Sequence, residues 1–192
     1  KKYAKKYGIK VASPIIAQAC LESAYGTSSK AKHHNYFGLK YRPNRVSVNN
    51  GTFIDGGFEQ KANGSYYNIQ DSWYNFDTME KGVEGYFQFI NITNYQKTKS
   101  ATTPETYLEA LRQAGYATSL KYVSNNMSVV NKWDLTKYDK EEGYLIQSTV
   151  DKLNIFAGPS KKSAKIGSIQ DKLKYTIIEE KDGVGKLKSG LG

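Results

Sequence analysis

The sequence predicts an α+β protein, in which an α-rich domain carries a small antiparallel β lobe and precedes an all-β module. Three observations lead there. From Pro14 to Tyr25 nearly every residue is apolar or small, the composition of a buried helix. Between Val46 and Phe76 the pattern changes to short strands marked by two Asn-Gly pairs, a strong hairpin signal. After Gly143 helical periodicity disappears and strand-like pieces alternate with turn residues. The expected organisation is an α-rich domain over 1–139, a linker over 140–147 and a β module over 148–192.

In chain order, "KKYAKKYGIK" reads as an amphipathic first helix. Ser13 is a candidate N-cap with Pro14 at the first helical position, and the helix it opens should run to about Tyr25 and stop at Gly26. On this helix Gln18 and Glu22 lie four residues apart and form one narrow polar stripe. An unpaired carboxylate in apolar surroundings is costly, so the stripe calls for a wet cleft or a partner. The lobe, with turns expected at Asn50-Gly51 and Asn63-Gly64, carries Asp55, Glu59 and Asp71. Asp77 with Glu80 resembles a capping box ahead of Val83, Tyr86, Phe87 and Ile90, which share one apolar face. Thr102 and Glu105, with Pro104 between them, open a further helix that ends before Gly115. The last helix follows Thr118 and should turn Tyr122, Val123, Met127, Val130 and Trp133 inward. Beyond "DKEEGY", the pieces "YLIQSTV", "LNIFAGPS", "AKIGSI" and "KYTIIEE" suggest a small barrel.

Composition narrows the partners. The net charge is +10, which favours a polyanion: nucleic acid, an anionic membrane or an acidic cell-wall polymer. Sixteen tyrosines and two tryptophans suit a groove that grips flat ligands, sugars or bases. No apolar run approaches the roughly 18 residues of a membrane span, so membrane insertion is not expected. The chain starts without Met or a signal peptide and reads as a mature form or an excised piece. Its one cysteine, Cys20, excludes an intrachain disulfide, and its mid-helix position gives it none of the activation of a catalytic thiolate. His33 and His34 are adjacent and lack ligand spacing, and no HExxH or CxxC occurs; neither a metal nor a cofactor is expected.

One stretch is more specific. "SPIIAQACLESAYGTSSKAKHHNYFGLK", Ser13 to Lys40, resembles the signature of the peptidoglycan N-acetylglucosaminidases of glycoside hydrolase family 73: A-x-x-x-E-S-x-x-G on a helix, then S-x-x-A, then N-x-F-G-I/L-K. "AGYATSLKY", Ala114 to Tyr122, resembles the family's A-G-Y-A-T segment, and the likeness covers roughly residues 3–135. The tail "LNIFAGPSKKSAKIGSI" is similar to a bacterial SH3-like module, with Phe156 where Arg is usual. Nothing after "KLKSGLG" matches that module's last strand, so a truncated module is expected.

The resemblance implies a lysozyme-like fold with Glu22 as general acid. The residues agree independently, because glycoside cleavage needs a carboxyl still protonated near neutral pH, and burial among apolar neighbours produces one. It places a second carboxylate on the lobe; Glu59 matches best and Asp55 is the alternative. Gln18, Asn35, Tyr36, Phe37, Tyr116 and Tyr122 are the implied substrate-binding residues. The implied activity is hydrolysis of the β-1,4 bond after N-acetylglucosamine in peptidoglycan. Alternatives are a muramidase or lytic transglycosylase on the same glycan, and a non-catalytic wall-binding protein. Expected partners are peptidoglycan and anionic wall polymers, without nucleic acid. The expected form is a monomer, secreted to the cell wall or released from a phage-infected cell.

Overall fold

The computed structural model describes residues 1–192 apart from 62, 141–142, 170–171, 182 and 191–192, and apart from the side chains of Glu59, Gln60 and Tyr66. The chain forms two compact units, Lys1–Asp139 and Lys140–Gly192.

In the first unit, helices α1 (Lys2–Lys6) and α2 (Ser13–Glu22) precede a hairpin of β1 (Thr52–Gln60) and β2 (Tyr66–Tyr74). Helices α3 (Met79–Ile90), α4 (Lys97–Ser100), α5 (Pro104–Gln113) and α6 (Tyr122–Lys132) follow. The core gathers Phe37, Leu39, Tyr74, Phe76, Tyr86, Tyr107, Leu108 and Leu111 between the helices and the root of the hairpin. Helix α1 is amphipathic: Ala4 is buried, while Lys2 and Lys6 pair with Glu80 and Glu84 of α3 at 2.7 and 3.0 Å.

The start of α2 corrects the sequence reading. Ser13 is the first helical residue, Ala12 is the cap position and Pro14 follows inside the first turn. The orphan donors of that turn are satisfied by a residue far along the chain. Asp139 Oδ1 accepts from the Ala12 and Ser13 N–H groups at 2.6 and 2.7 Å, and Oδ2 accepts from Ser13 Oγ at 2.6 Å. The helix also ends earlier than expected, at Glu22. Ala24, Tyr25 and Gly26 all adopt left-handed backbone (φ 49°, 56° and 84°), which reverses the chain at once. Ser23 secures this reversal by donating to the Ala19 carbonyl and accepting from the Gly26 N–H at 2.9 Å.

Among the described residues the lobe contains one hairpin, not two. Asn63-Gly64 sits in its turn, whereas Asn50-Gly51 lies ahead of β1, where Asn50 N donates to the Asn75 carbonyl at 2.8 Å. Asp55 and Asp71 stand directly opposite each other across the pair, a like-charge arrangement that two lysines offset. The lobe is joined to the helices by the segment after Phe37: Tyr74 N donates to the Leu39 carbonyl and Tyr41 N to the Ser72 carbonyl.

Other caps also shift. Thr78, not Asp77, caps α3 by accepting from Lys81 N, and Glu80 turns to Lys2. Thr103, not Thr102, caps α5 in a capping box with Thr106. On α6 Tyr122 and Val130 are buried and Val123 and Met127 half-buried, but Trp133 is 52 % exposed, because the helix ends at Lys132 and its ring falls past the packed face.

The regular elements among the described residues of the second unit are all β. Strands β3 (Tyr144–Gln147), β6 (Lys174–Lys181) and β7 (Val184–Leu187) form one antiparallel sheet in the order β3-β6-β7, and β4 (Leu153–Phe156) pairs with β5 (Lys165–Ile169) in a second. Among its described residues the buried apolar ones are Ile169 and Ile177. Among the described residues no helix is long and apolar enough to cross a membrane, and no group of three His, Cys, Asp or Glu side chains is placed to hold a metal.

Candidate active site

A cleft of about 620 Å³ opens in the first unit, between the end of α2, the root of the hairpin and the α5–α6 connection. Glu22 lies in it, and among the described residues it is the cleft's only lining carboxylate. Its position follows from three local features. The tight reversal after Ser23 ends α2 at this residue. The Asn35–Lys40 turn then passes across the helix end, fixed by the Asn35 side chain, which donates to the Leu39 and Tyr74 carbonyls and accepts from Leu39 N at 3.0, 2.9 and 2.8 Å. Finally, Gly38 takes a left-handed conformation (φ 58°), and a β-carbon there would stand 3.1 Å from Glu22 Oε2. The carboxyl is thus pressed against bare backbone, with the Trp73 ring beside it.

This enclosure sets its acidity. Burial disfavours the charged form and raises Glu22 from the ordinary 4.5 to about 7, with the nearby Lys30 charge pulling it down. A carboxyl in that range both holds and releases a proton at neutral pH, which is what general acid–base chemistry needs.

Tyr116 and Tyr122 line the same cleft. The Tyr116 hydroxyl donates to the Phe37 carbonyl at 2.8 Å, which ties the α5–α6 connection to the Gly38 turn. Burial pushes Tyr116 and Tyr122 well above the usual tyrosine range, and the Glu22 charge pushes both the same way, so neither ionises in the working range.

Other expected ligand-binding residues are in the core instead. Gln18 is 0 % exposed, and both ends of its amide are committed: Nε2 donates to the Tyr122 hydroxyl at 2.5 Å, and Oε1 accepts from the Tyr86 hydroxyl at 2.8 Å. The Tyr86 and Tyr107 hydroxyls, 2.7 Å apart, extend this network. Gln18 therefore positions Tyr122 from beneath the cleft floor. Asn35 shapes the Gly38 turn, as described. Phe37 is 2 % exposed and stacks on Tyr86 at 4.1 Å. Tyr36 meets His34 Nδ1 at 3.1 Å, away from the cleft lining. The Glu59 side chain lies outside the described residues; its backbone pairs with Tyr67 in the hairpin.

The sequence reading missed the cleft's cations. Lys30 Nζ lies 3.1 Å from Asp55 and 4.3 Å from the Trp73 ring centroid, and Lys40 Nζ lies 3.2 Å from Asp71. Asp55 is held below the usual carboxylate range first by the Ser29 hydroxyl and then, against burial, by Lys30 and the Gly56 N–H. Burial works to raise Asp71, but the Ser72 N–H and Lys40 hold it low. Arg42 and Arg45 complete the basic wall. The available signal was five Lys and Arg residues from Lys30 to Arg45 with no acidic residue among them; four of the five line the cleft.

Comparison with known proteins agrees with this architecture. The chain is 30 % identical over 145 residues to the exo-glucosaminidase LytG of Bacillus subtilis, covering 71 % of this chain and 48 % of LytG. It is 31 % identical over 144 residues to an N-acetylmuramoyl-L-alanine amidase domain-containing protein of Staphylococcus aureus, covering 68 % of this chain and 22 % of that protein. The chain thus spans about half, or less, of the curated relatives it matches. Among solved structures, the catalytic domain of the Listeria monocytogenes autolysin Auto superposes with a TM-score of 0.56 at 25 % identity, over 71 % of this chain and 79 % of that one. A peptidoglycan hydrolase mutant from Sphingomonas sp. A1 shares the fold with a TM-score of 0.60 at 23 % identity, over 71 % and 91 %. Residues 1–135 match the glucosaminidase family, described as mannosyl-glycoprotein endo-beta-N-acetylglucosaminidase, and the chain belongs to that family.

Proposed function

We propose that this protein hydrolyses the β-1,4 bond following N-acetylglucosamine in bacterial peptidoglycan, with Glu22 as the general acid. The observation that carries this reading is the enclosure of Glu22 at the cleft wall against Gly38. There the carboxyl keeps its proton near neutral pH and delivers it to the leaving glycosidic oxygen as positive charge builds on the sugar. Trp73, Tyr116 and Tyr122 give the cleft flat apolar surfaces for a saccharide. The family membership and the likeness to the exo-glucosaminidase LytG and the Listeria autolysin support the same substrate class.

We assign the second carboxylate to Glu59 on the strength of the resemblance, and the geometry of Asp55 favours this choice. Asp55 is already committed to Ser29 and Lys30 and is not part of the cleft lining. Glu59→Gln should lower turnover while Asp55→Asn keeps most of it; the reverse result would transfer the role to Asp55. Residues 148–192, which carry strands β4 to β7 and nine basic against five acidic residues, serve in this reading as an SH3-like module that holds a monomeric enzyme on the wall, outside the cytoplasm.

Mass spectrometry of glycans released from purified walls tests the reaction. New reducing N-acetylglucosamine ends are expected. Reducing muramic acid ends would make the protein a muramidase, anhydromuramic ends a lytic transglycosylase, and no release at all would leave a wall-binding protein.

A further inference from the structure

We propose that Arg45, with Arg42 beside it, forms an anion-binding end of the cleft that takes a carboxylate carried by the glycan. The inference rests on the glycan-hydrolase reading and names a recognition element within the same site. The four cations of the cleft wall fall into two pairs. Lys30 and Lys40 face Asp55 and Asp71. Arg42 and Arg45 have no ion-pair partner among the described residues, although Arg42 lies close enough to Asp71 to influence its charge.

Arg45 is held rigidly. Its guanidinium carbon stands 3.7 Å from the Phe89 ring centroid and 5.4 Å from that of Tyr95, and Nε donates to the Phe89 carbonyl at 2.8 Å. Its Nη2 is buried and has no acceptor. A fixed, half-buried guanidinium with an unmet donor and no counter-ion is a poor solution for stability alone, because a charged group left unsatisfied carries its full desolvation cost. It is a good solution for binding: the side-chain entropy is already spent and the fork geometry suits a carboxylate. Arg42 adds a second charge from a backbone clamped by the Tyr74 hydroxyl, which accepts from Arg42 N at 3.2 Å and donates to the Arg42 carbonyl.

The location suits a substrate contact. Phe89 and Tyr95, the rings beneath Arg45, both pack edge-on to Tyr116 at 6.4 and 6.3 Å, and Tyr116 senses the Glu22 charge. The anion end is therefore one aromatic ring from the acid, within reach of a neighbouring sugar's substituent. N-acetylglucosamine is neutral. The carboxylates available on peptidoglycan are those of a peptide attached to the muramic lactyl group, or the lactyl carboxylate itself where the peptide has been removed.

The test measures binding by calorimetry to Glu22→Gln protein of the full chain, using three glycans of equal length: neutral chito-oligosaccharide, peptide-free glycan with lactyl carboxylates, and glycan bearing peptides. At least one anionic glycan should bind about tenfold tighter than the neutral one, in line with a charge-assisted hydrogen-bonded pair. Adding Arg45→Gln should remove that advantage. The anionic glycan that shows it identifies the source of the carboxylate. Arg42→Gln, at an exposed position, should reduce the advantage without touching the Phe89 stack, so the proposal is still tested if Arg45→Gln does not fold. Equal binding of all three glycans, or an advantage that survives both substitutions, would overturn the inference. If the parent protein produces N-acetylglucosamine ends yet shows no anion preference, only this inference fails. If arginine-dependent anion binding occurs without cleavage of any glycan, only the hydrolase reading fails.

Discussion

Replacing Glu22 by glutamine separates two properties of this carboxyl, proton transfer and tolerance of burial. The amide keeps the shape but has no acidic proton to give, so lysis of purified walls should fall by at least about 10²-fold. Stability should change in the opposite direction, and only at high pH. Folding raises the Glu22 pKa from 4.5 to about 7, so the folded state binds this proton more tightly than the unfolded chain does. The resulting stability is fully present below pH 4.5 and is lost as pH rises through about 7. The loss amounts to about 3 kcal/mol, at about 1.4 kcal/mol for each tenfold change in proton affinity. Glutamine carries no charge to desolvate. Glu22→Gln should therefore melt with the parent at pH 4 and above it at pH 8, by roughly 6–12 °C for a domain of this size. Circular dichroism melts at the two pH values, run beside a turbidity assay of wall lysis, read both effects. A melting difference that is the same at both pH values would mean the carboxyl is not desolvated, and lysis at the parent rate would remove Glu22 from the chemistry.

Three further outcomes follow from the same geometry. Removing the Lys30 charge with Lys30→Met should move the descending limb of kcat/KM from near pH 7 to higher pH, since that charge lowers the Glu22 pKa; an unmoved limb would assign it to another group. Gly38→Ala should cost about 1–2 kcal/mol for its left-handed backbone. It should also slow turnover at temperatures where the protein is fully folded, because the new methyl meets Glu22 Oε2 at 3.1 Å; unchanged turnover would show that the carboxyl tolerates displacement. Asp139→Ala should cost about 1–2 kcal/mol in urea unfolding of the first unit by uncapping α2, and no change would mean that water replaces the cap.

The elements that depend on neighbouring residues were legible in the sequence. The apolar run from Pro14, the Asn63-Gly64 turn and the i, i+4 placement of Gln18 and Glu22 each have a local cause, and each corresponds to a feature of the structure. Residues whose meaning depends on distant partners were not legible. Gln18 and Asn35 are polar residues within a motif, and the sequence alone cannot distinguish an amide that meets a sugar from one that meets the core. Gln18 meets Tyr86 and Tyr122, 68 and 104 residues away, and Asn35 adds to its local bonds with Leu39 one to Tyr74, 39 residues away. At α3 and α5 two candidates stand side by side, Asp77 with Thr78 and Thr102 with Thr103, and the sequence does not choose between them; at α2 the donors of the first turn are met by Asp139, far along the chain. Trp133 read as inward because the helical period was extended one residue past the helix end.

The clasp between Asp139 and the first turn of α2 also bears on the order of events during synthesis. The hydrogen bonds close a loop of 126 to 127 residues, which encloses nearly the whole first unit. The start of the helix that ends in Glu22 is therefore left with open donors until the last residue of that unit has been made. A chain ending at 135, where the family likeness stops, would contain every residue of the cleft and still lack this anchor. Without that anchor the acid-bearing helix forgoes the roughly 1–2 kcal/mol that its cap contributes, so a chain released before Asp139 carries the whole cleft on a less firmly held helix.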